Sequence, residues 1–267
     1  MTERELMLTS LLDCERIDFY VDPKPLGASD QKRFQVMRDR RSQGEPLQYI
    51  IGHVEFMGIK FFVDKRAFIP RPETELLVEE VLKKANPSPQ SILFNILDLG
   101  TGSGNIAISL SQFLPSCRVT AVDVSLEALK LAEDNAHFHS LHDRINFVHQ
   151  DMAVYLERHE EKFFDIIVSN PPYIARSNLN FLPKDLGYEP KTALDGGDQG
   201  LDFYKIIIPQ ARRFLKNRGF LFLEIGDGQR QAIEQIFKDH PGYRNVEFLK
   251  DYSGTDRIVA AQFFRGY

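Results

Sequence analysis

The stretch Asp98-Leu99-Gly100-Thr101-Gly102-Ser103-Gly104-Asn105 ends an apolar run, Ile92 to Leu99, and leads directly into Ile106-Ala107-Ile108-Ser109-Leu110. An apolar run of strand length, a glycine-rich turn and a second apolar segment read as strand, loop and helix. Glycine has no Cβ, so such a loop can turn tightly and let a ligand approach its backbone, and we read it as a binding site. Its spacing is Gly-x-Gly-x-Gly, and Asn105 stands where a dinucleotide fold carries its third glycine. No Lys-Ser or Lys-Thr pair follows, which excludes a phosphate-cradling P-loop. Asp123 lies 19 residues beyond Gly104, at the end of Val119-Thr120-Ala121-Val122. A carboxylate there can accept both ribose hydroxyls of an adenosine. A nicotinamide cofactor and S-adenosyl-L-methionine both fit, and the missing third glycine favours the second.

From Ser91 onward, short apolar runs alternate with amphipathic stretches, the pattern of β-α units around a parallel sheet. Strands are predicted at Ile92 to Leu99, Arg118 to Val122, Ile145 to His149, Phe164 to Ser169 and Phe220 to Ile225. Ser125 should cap a helix whose inward face is Leu129, Ala132 and Ala136. Two late runs, Val246 to Lys250 and Arg257 to Phe263, have no helical stretch between them. They predict a hairpin across Tyr252-Ser253-Gly254, with the last strand antiparallel to an otherwise parallel sheet.

Ahead of the glycine loop, Glu3 to Leu12 and Ser29 to Arg41 read as short helices around Asp22-Pro23-Lys24-Pro25-Leu26-Gly27. The apolar segments Leu47 to Ile51 and Lys60 to Val63, with Met57-Gly58 between them, predict a β-hairpin. Ile69-Pro70-Arg71-Pro72-Glu73-Thr74-Glu75 then opens a helix, with Pro72 at its first position, acids in its first turn and Leu76, Leu77 and Val81 facing inward. Asn86-Pro87-Ser88-Pro89 should close it. The organisation expected is a helical unit over 1–45, a hairpin linker over 46–72 and an α/β domain over 73–267.

Of the 267 residues, 43% are hydrophobic and 27% charged, ordinary values that exclude long disorder and a collagen-like repeat. The 33 Lys+Arg against 38 Asp+Glu leave a net charge of −5. Binding that rests on neutralising phosphates is disfavoured, so no stable nucleic-acid complex is expected. No apolar run reaches the roughly 18 residues of a membrane span. Met1-Thr2-Glu3-Arg4-Glu5 puts acids where a signal peptide wants bases. Cys14 and Cys117 are the only thiols and have no metal-ligand spacing, so a cytoplasmic location and no metal site are expected. His137, His139 and His142, with His149 nearby, lack supporting carboxylate or thiol spacing and read as solvated surface.

The fourth predicted strand stops at Asn170-Pro171-Pro172-Tyr173-Ile174. Ligands of open α/β sheets bind beyond the carboxyl ends of strands, so this segment should stand beside the glycine loop. Two consecutive prolines stiffen the chain and leave carbonyls as acceptors. With these motifs the chain resembles the class I S-adenosylmethionine-dependent methyltransferases of the N-P-P-Y type, which act on planar nitrogens. It further resembles the HemK/PrmC family of protein-(glutamine-N5) methyltransferases of peptide chain release factors. That resemblance is carried by Glu45-Pro46-Leu47-Gln48-Tyr49-Ile50-Ile51-Gly52, Ile69 to Glu75, Tyr188-Glu189-Pro190 with Ala193-Leu194, and Leu223-Glu224-Ile225-Gly226.

The resemblance implies a Rossmann-like catalytic domain with a seven-stranded sheet, preceded by a substrate-docking module, in a protein expected to be a monomer. It implies a substrate clamp at Asn170, Pro171, Pro172 and Tyr173, with Asn170 and Pro171 accepting the two N–H hydrogens of the target amide. Cofactor contacts are implied at Gly100, Thr101, Gly102, Ser103, Gly104, Asp123 and Asn170, with Met152 against adenine and Thr74 near the methionine tail. Glu189 is either a site residue or a loop hydrogen-bonder. The implied substrate is the Gly-Gly-Gln glutamine of a release factor. A ribosomal-protein glutamine, or a nucleic-acid amino group such as adenine N6 or guanine N2, is the alternative. Two departures stand out. Gly196-Gly197-Asp198-Gln199-Gly200-Leu201 displaces an acid by one position from the family's G-G-x-D-G-L, and the family opens with a further helix before the segment matching Glu5 to Leu12.

Overall fold

The computed structural model describes residues 2–21, 25–85, 93–158 and 164–266. Four helices come first: α1 (Glu3–Leu12), α2 (Asp18–Val21), α3 (Ala28–Ser42) and α4 (Leu47–Ile51). A reciprocal cap opens α1, where Thr2 Oγ1 accepts from Glu5 N at 3.2 Å and the Glu5 carboxylate accepts from Thr2 N at 2.8 Å. Arg41 of α3 pairs with Glu3 of α1 at 2.7 Å.

The hairpin differs from its prediction in one arm. Leu47–Ile51 folds as helix α4 rather than as a strand, because Pro46 starts it and Gly52, at φ 82, ends it by donating N–H to the Gln48 carbonyl at 2.8 Å. The first arm of the hairpin is instead β1 (His53–Phe56), paired with β2 (Ile59–Phe62). Met57 and Gly58 both have positive φ, the two-residue turn whose twist suits a tight hairpin. Phe56 and Phe61 anchor this hairpin in the core under α5 (Pro72–Lys84). Asn135 completes its open edge, accepting from Phe62 N at 2.8 Å and donating to Phe62 O at 3.1 Å. Pro72 does open α5, whose buried face is Thr74, Leu77, Val78 and Val81.

The remaining elements are β3 (Phe94–Leu99), α6 (Asn105–Phe113), β4 (Cys117–Asp123), α7 (Leu126–Phe138), β5 (Ile145–His149), α8 (Met152–Arg158), β6 (Phe164–Ser169), α9 (Asp202–Phe214), β7 (Leu215–Glu224), α10 (Arg230–Asp239), β8 (Tyr243–Lys250) and β9 (Asp256–Phe263). Seven strands of the described residues form one sheet in the order β5-β4-β3-β6-β7-β9-β8. All neighbours are parallel except β9, which runs against both β7 and β8 as predicted. Ser125 caps α7 by accepting from Ala128 N at 3.2 Å. β7 begins earlier than predicted, because Leu215 pairs with Phe164 ahead of a register shift. The predicted turn at Asn86 to Pro89, and Ile92, lie outside the described residues.

Alternation along the central strands divides the core. Ile96, Val119, Ile166, Val168 and Phe222 face α5 and α6, while Leu97, Leu99, Ile167, Leu221 and Leu223 face α8, α9 and α10. The strand order reverses between β3 and β6, so the crevice beyond their carboxyl ends is the ligand position of such a sheet. Among the described residues no helix is long and apolar enough to cross a membrane.

Candidate functional site

At the end of β3, Gly100, Gly102 and Gly104 all have positive φ, at 76, 56 and 81°. A Cβ on Gly100 would sit 3.1 Å from Met152 Cε, and one on Gly104 would meet Ile108 Cδ1 at 2.9 Å and Ala132 Cβ at 3.1 Å. Gly100 therefore keeps the loop open on the ligand side, whereas Gly104 lets α6 pack on α7. The N–H groups of Gly100 and Thr101 both donate to Val122 O, at 2.8 and 3.1 Å. That of Gly102 turns to Asp123 Oδ2 at 2.8 Å, and Asp123 Oδ1 accepts from Ser125 N at 2.8 Å. Burial pushes the Asp123 carboxyl above its usual range, against the pull of these backbone donors.

Asp98 lies beneath the same loop, fully buried, with Oδ2 accepting from Thr101 Oγ1 at 2.7 Å. Burial pushes its carboxyl up to about 7. Asp98 Oδ1 and Ser103 Oγ are buried without a hydrogen-bond partner. Ser109 Oγ and Ser111 Oγ of α6 are buried unpaired as well, and of these four residues only Ser103 lines the cavity described below.

On the neighbouring strand, Ser169 Oγ donates to Leu99 O at 2.6 Å and ties the end of β6 to that of β3. Asn170-Pro171-Pro172-Tyr173 follows at once. Asn170 Nδ2 donates to Thr74 Oγ1 at 3.1 Å, Thr74 Oγ1 donates to Glu224 Oε2 at 2.6 Å, and the Tyr173 hydroxyl donates to Glu224 Oε1 at 3.2 Å. Among the described residues, no protein donor reaches Asn170 Oδ1 or the Pro171 carbonyl. Gln229 Nε2 holds the far side of the turn through the carbonyls of Tyr173 and Gly200, both at 3.0 Å.

A cavity of ≈ 380 Å³ joins the two motifs, within the size range of small-molecule sites. Gly100, Thr101, Gly102, Ser103, Asp123 and Met152 line one side, and Thr74, Asn170, Pro171, Pro172 and Tyr173 the other. Gly104, expected among the cofactor contacts, is not part of this lining. Thr74, expected at the methionine tail, lines the cavity, donates its hydroxyl hydrogen to Glu224 and accepts from Asn170. Glu189 is a brace: it is 4% exposed, accepts from Ile69 N at 3.0 Å and pairs with Arg71. Asp198, at the displaced acid position, is exposed and pairs with Arg176 at 2.9 Å.

Sequence reasoning assigned no role to Asp98 or Glu224. The signal was available, since each is an acid inside an apolar strand, in Ile96-Leu97-Asp98-Leu99 and Leu221-Phe222-Leu223-Glu224. Arg71, which lines the cavity and stacks on the Phe68 ring at 4.7 Å, gave no comparable signal. The histidines are dispersed: His137 stacks on His142, His139 bonds the Lys60 carbonyl, and His149 bonds the Val124 carbonyl. Among the described residues no group of His, Cys, Asp or Glu is arranged to hold a metal ion.

Comparison with known proteins gives the same outline. Residues 72–182 match the methyltransferase small domain, and residues 2–52 match the PrmC N-terminal domain. The chain is 43% identical over 229 residues to the release factor glutamine methyltransferase of Moorella thermoacetica, covering 86% of this chain and 79% of that one. It is 38% identical over 262 residues to the protein of the same name in Geobacter sulfurreducens, covering 97% and 88%. Among solved structures, a methyltransferase from Pyrococcus furiosus superposes with a TM-score of 0.55 at 19% identity, over 89% of this chain and 98% of that one. A T. thermophilus 16S rRNA methyltransferase solved with AdoMet and guanosine gives 0.55 at 19%, over 80% and 50%. At such identity the likeness is one of fold.

Proposed function

Because this chain belongs to the release factor glutamine methyltransferase family, we propose that it moves a methyl group from S-adenosylmethionine to the side-chain amide nitrogen of the Gly-Gly-Gln glutamine in peptide chain release factors. The observation that carries this reading is the pair of acceptors without a protein donor, Asn170 Oδ1 and the Pro171 carbonyl, on two residues that line a cavity whose other wall is the glycine loop. A primary amide has two N–H hydrogens, and two adjacent acceptors can take both.

The residues present fit the cofactor. Asp123, pinned by two backbone donors, would take the ribose hydroxyls. Gly100 to Ser103 would hold the methionine part, where Asp98 Oδ1 and Ser103 Oγ lack partners, and Met152 would lie against adenine. When bound, the cofactor supplies an electrophilic sulfonium methyl group.

The chain's own part is orientation. An amide lone pair is delocalised into its carbonyl and is a poor nucleophile. Asn170 and Pro171, by accepting both hydrogens, fix the NH2 group and favour the positive charge that grows on nitrogen during transfer. Tyr173 stacks on the planar amide. No dedicated base is needed before transfer, because the nitrogen becomes acidic as its new bond forms.

Asp123→Ala tests the cofactor side. Loss of two charge-assisted hydrogen bonds is expected to weaken S-adenosylhomocysteine binding by about 1.5 to 3 kcal/mol in isothermal titration. Unchanged affinity would remove Asp123 from the site.

One side chain in a pocket offers too little area for a specific protein complex, so the helices before residue 45 are read as the docking module. These helices, with the turn before α2, expose Ile17, Tyr20, Val21 and Val36. Ile17→Asp combined with Val21→Asp is expected to raise KM for intact release factor about tenfold, while KM for a short Gly-Gly-Gln peptide stays put. An equal rise for both would place docking elsewhere. Net charge and relatives both speak against a nucleic-acid substrate.

A further inference from the structure

One buried carboxylate in the cavity wall has no part in the mechanism so far. Glu224 ends β7, is 1% exposed, and meets two hydroxyls that come from different elements, Thr74 of α5 at 2.6 Å and Tyr173 of the turn after β6 at 3.2 Å. An ionised carboxylate can only accept. The Thr74 hydroxyl has a single hydrogen, which Glu224 takes, so Thr74 Oγ1 has only lone pairs left for Asn170. Asn170 must then turn its NH2 group to Thr74, which leaves its Oδ1 on the other arm of the amide, in a residue that lines the cavity.

We infer that Glu224, acting through Thr74, is a positioning residue that dictates which face of the Asn170 amide meets the substrate and, through Tyr173, holds the other end of the same turn. This deepens the proposed mechanism and rests on Asn170 Oδ1 being the acceptor for the substrate amide. A protonated Glu224 would reverse the order of bonds. It would donate to Thr74, the Thr74 hydrogen would pass to Asn170 Oδ1, and the flipped Asn170 would present a donor to the substrate's own NH2 donors. The wiring thus works while Oε2 is free to accept from Thr74 and fails when Oε2 carries the proton.

The groups that face Glu224 are Glu73 and Thr74 from α5, Tyr173, and Arg257 from β9, while Tyr204 of α9 donates to the Glu224 backbone carbonyl at 2.9 Å. Burial pushes the carboxyl up to about 7, against the pull of Thr74, Arg257 and Tyr173. A glutamine amide does not titrate near neutrality, but Asp98 beneath the glycine loop is also pushed up to about 7, so only the part of an acid limb in kcat that Glu224→Gln removes reports Glu224.

The test uses the full chain with saturating S-adenosylmethionine and intact release factor, alongside titration with S-adenosylhomocysteine. Thr74→Val keeps the shape and deletes the relay. It is expected to lower kcat at least about tenfold, with KM for release factor and S-adenosylhomocysteine affinity within about threefold, and Thr74→Ser is expected to restore most of the rate. Glu224→Gln is expected to lose all or part of the acid limb of the kcat profile. Wild-type kcat in Thr74→Val, with Asn170→Ala inactive, would overturn the inference. So would a loss of S-adenosylhomocysteine affinity with kcat preserved, which returns Thr74 to the cofactor side. If Val at position 74 prevents folding, the pH profile of Glu224→Gln decides: a limb identical to the parent's overturns the inference, and a lost or diminished limb supports it. An active Asn170→Ala would instead sink the underlying mechanism, a separately visible result.

Discussion

Asn170→Ala is expected to cut single-turnover methyl transfer by about 10²- to 10³-fold, the cost of losing one preorganised hydrogen-bonding group at a site of developing charge. The same variant should bind S-adenosylhomocysteine within a few-fold of the parent. Asn170 Oδ1 has no protein donor, and its contact with the target amide strengthens as charge develops on nitrogen. The remaining acceptor, the Pro171 carbonyl, is main chain and survives the substitution, so a residual rate is expected. Full activity in a single-turnover assay would remove the amide clamp from the mechanism.

Gly200→Ala should be as severe for a different reason. Gly200 has φ +72°, and a Cβ there would lie 2.2 Å from the Tyr173 carbonyl oxygen and 2.8 Å from Gln229 Nε2. The first of these is main chain of the turn that carries Asn170 and Tyr173, so the turn itself must move. Left-handed strain and overpacking together are expected to cost more than about 3 kcal/mol in urea unfolding. Methyl transfer should fall even at temperatures where the variant is folded. Gly197→Ala is a useful contrast. Its φ is also positive, but the three atoms nearest its Cβ would all belong to the Asp202 carboxylate, the end of a side chain that can rotate away. Gly197→Ala should therefore lose stability and keep most of its rate. Equal activity loss in both variants would mean that the Gly196 to Gly200 segment acts through general unfolding rather than by bracing the turn.

These contrasts show where the sequence is legible. The sheet could be read because buried parallel strands are short apolar runs, and the glycine loop and Asp123 fell in register at the ends of two of them. The antiparallel end of the sheet could be read because no helix fits between Lys250 and Arg257. Leu47 to Ile51 could not be separated from a strand by its apolar content, since five apolar-rich residues suit either element, and the caps at Pro46 and Gly52 decided it. At the site, residues that face the cavity from one motif were found, Thr74 among them, and the bonds that join one motif to another were missed. Thr74 and Glu224 are 150 positions apart, and only folding reveals that one hydroxyl connects Glu224 to Asn170. Glu189 likewise became a brace only when Arg71 and Ile69, more than a hundred positions away, were seen to close on it.

The most direct measurement is to incubate the purified chain with S-adenosylmethionine and an unmodified release factor, and to map methylation by fragmenting its Gly-Gly-Gln peptide in a mass spectrometer. One added methyl group is expected, on the side-chain amide of that glutamine, absent when Asn170→Ala replaces the parent, with ribosomal RNA and DNA unlabelled in parallel reactions. An unmodified glutamine alongside methyl transfer to nucleic acid or to a ribosomal protein would contradict the proposed function while leaving the fold and the cofactor site standing.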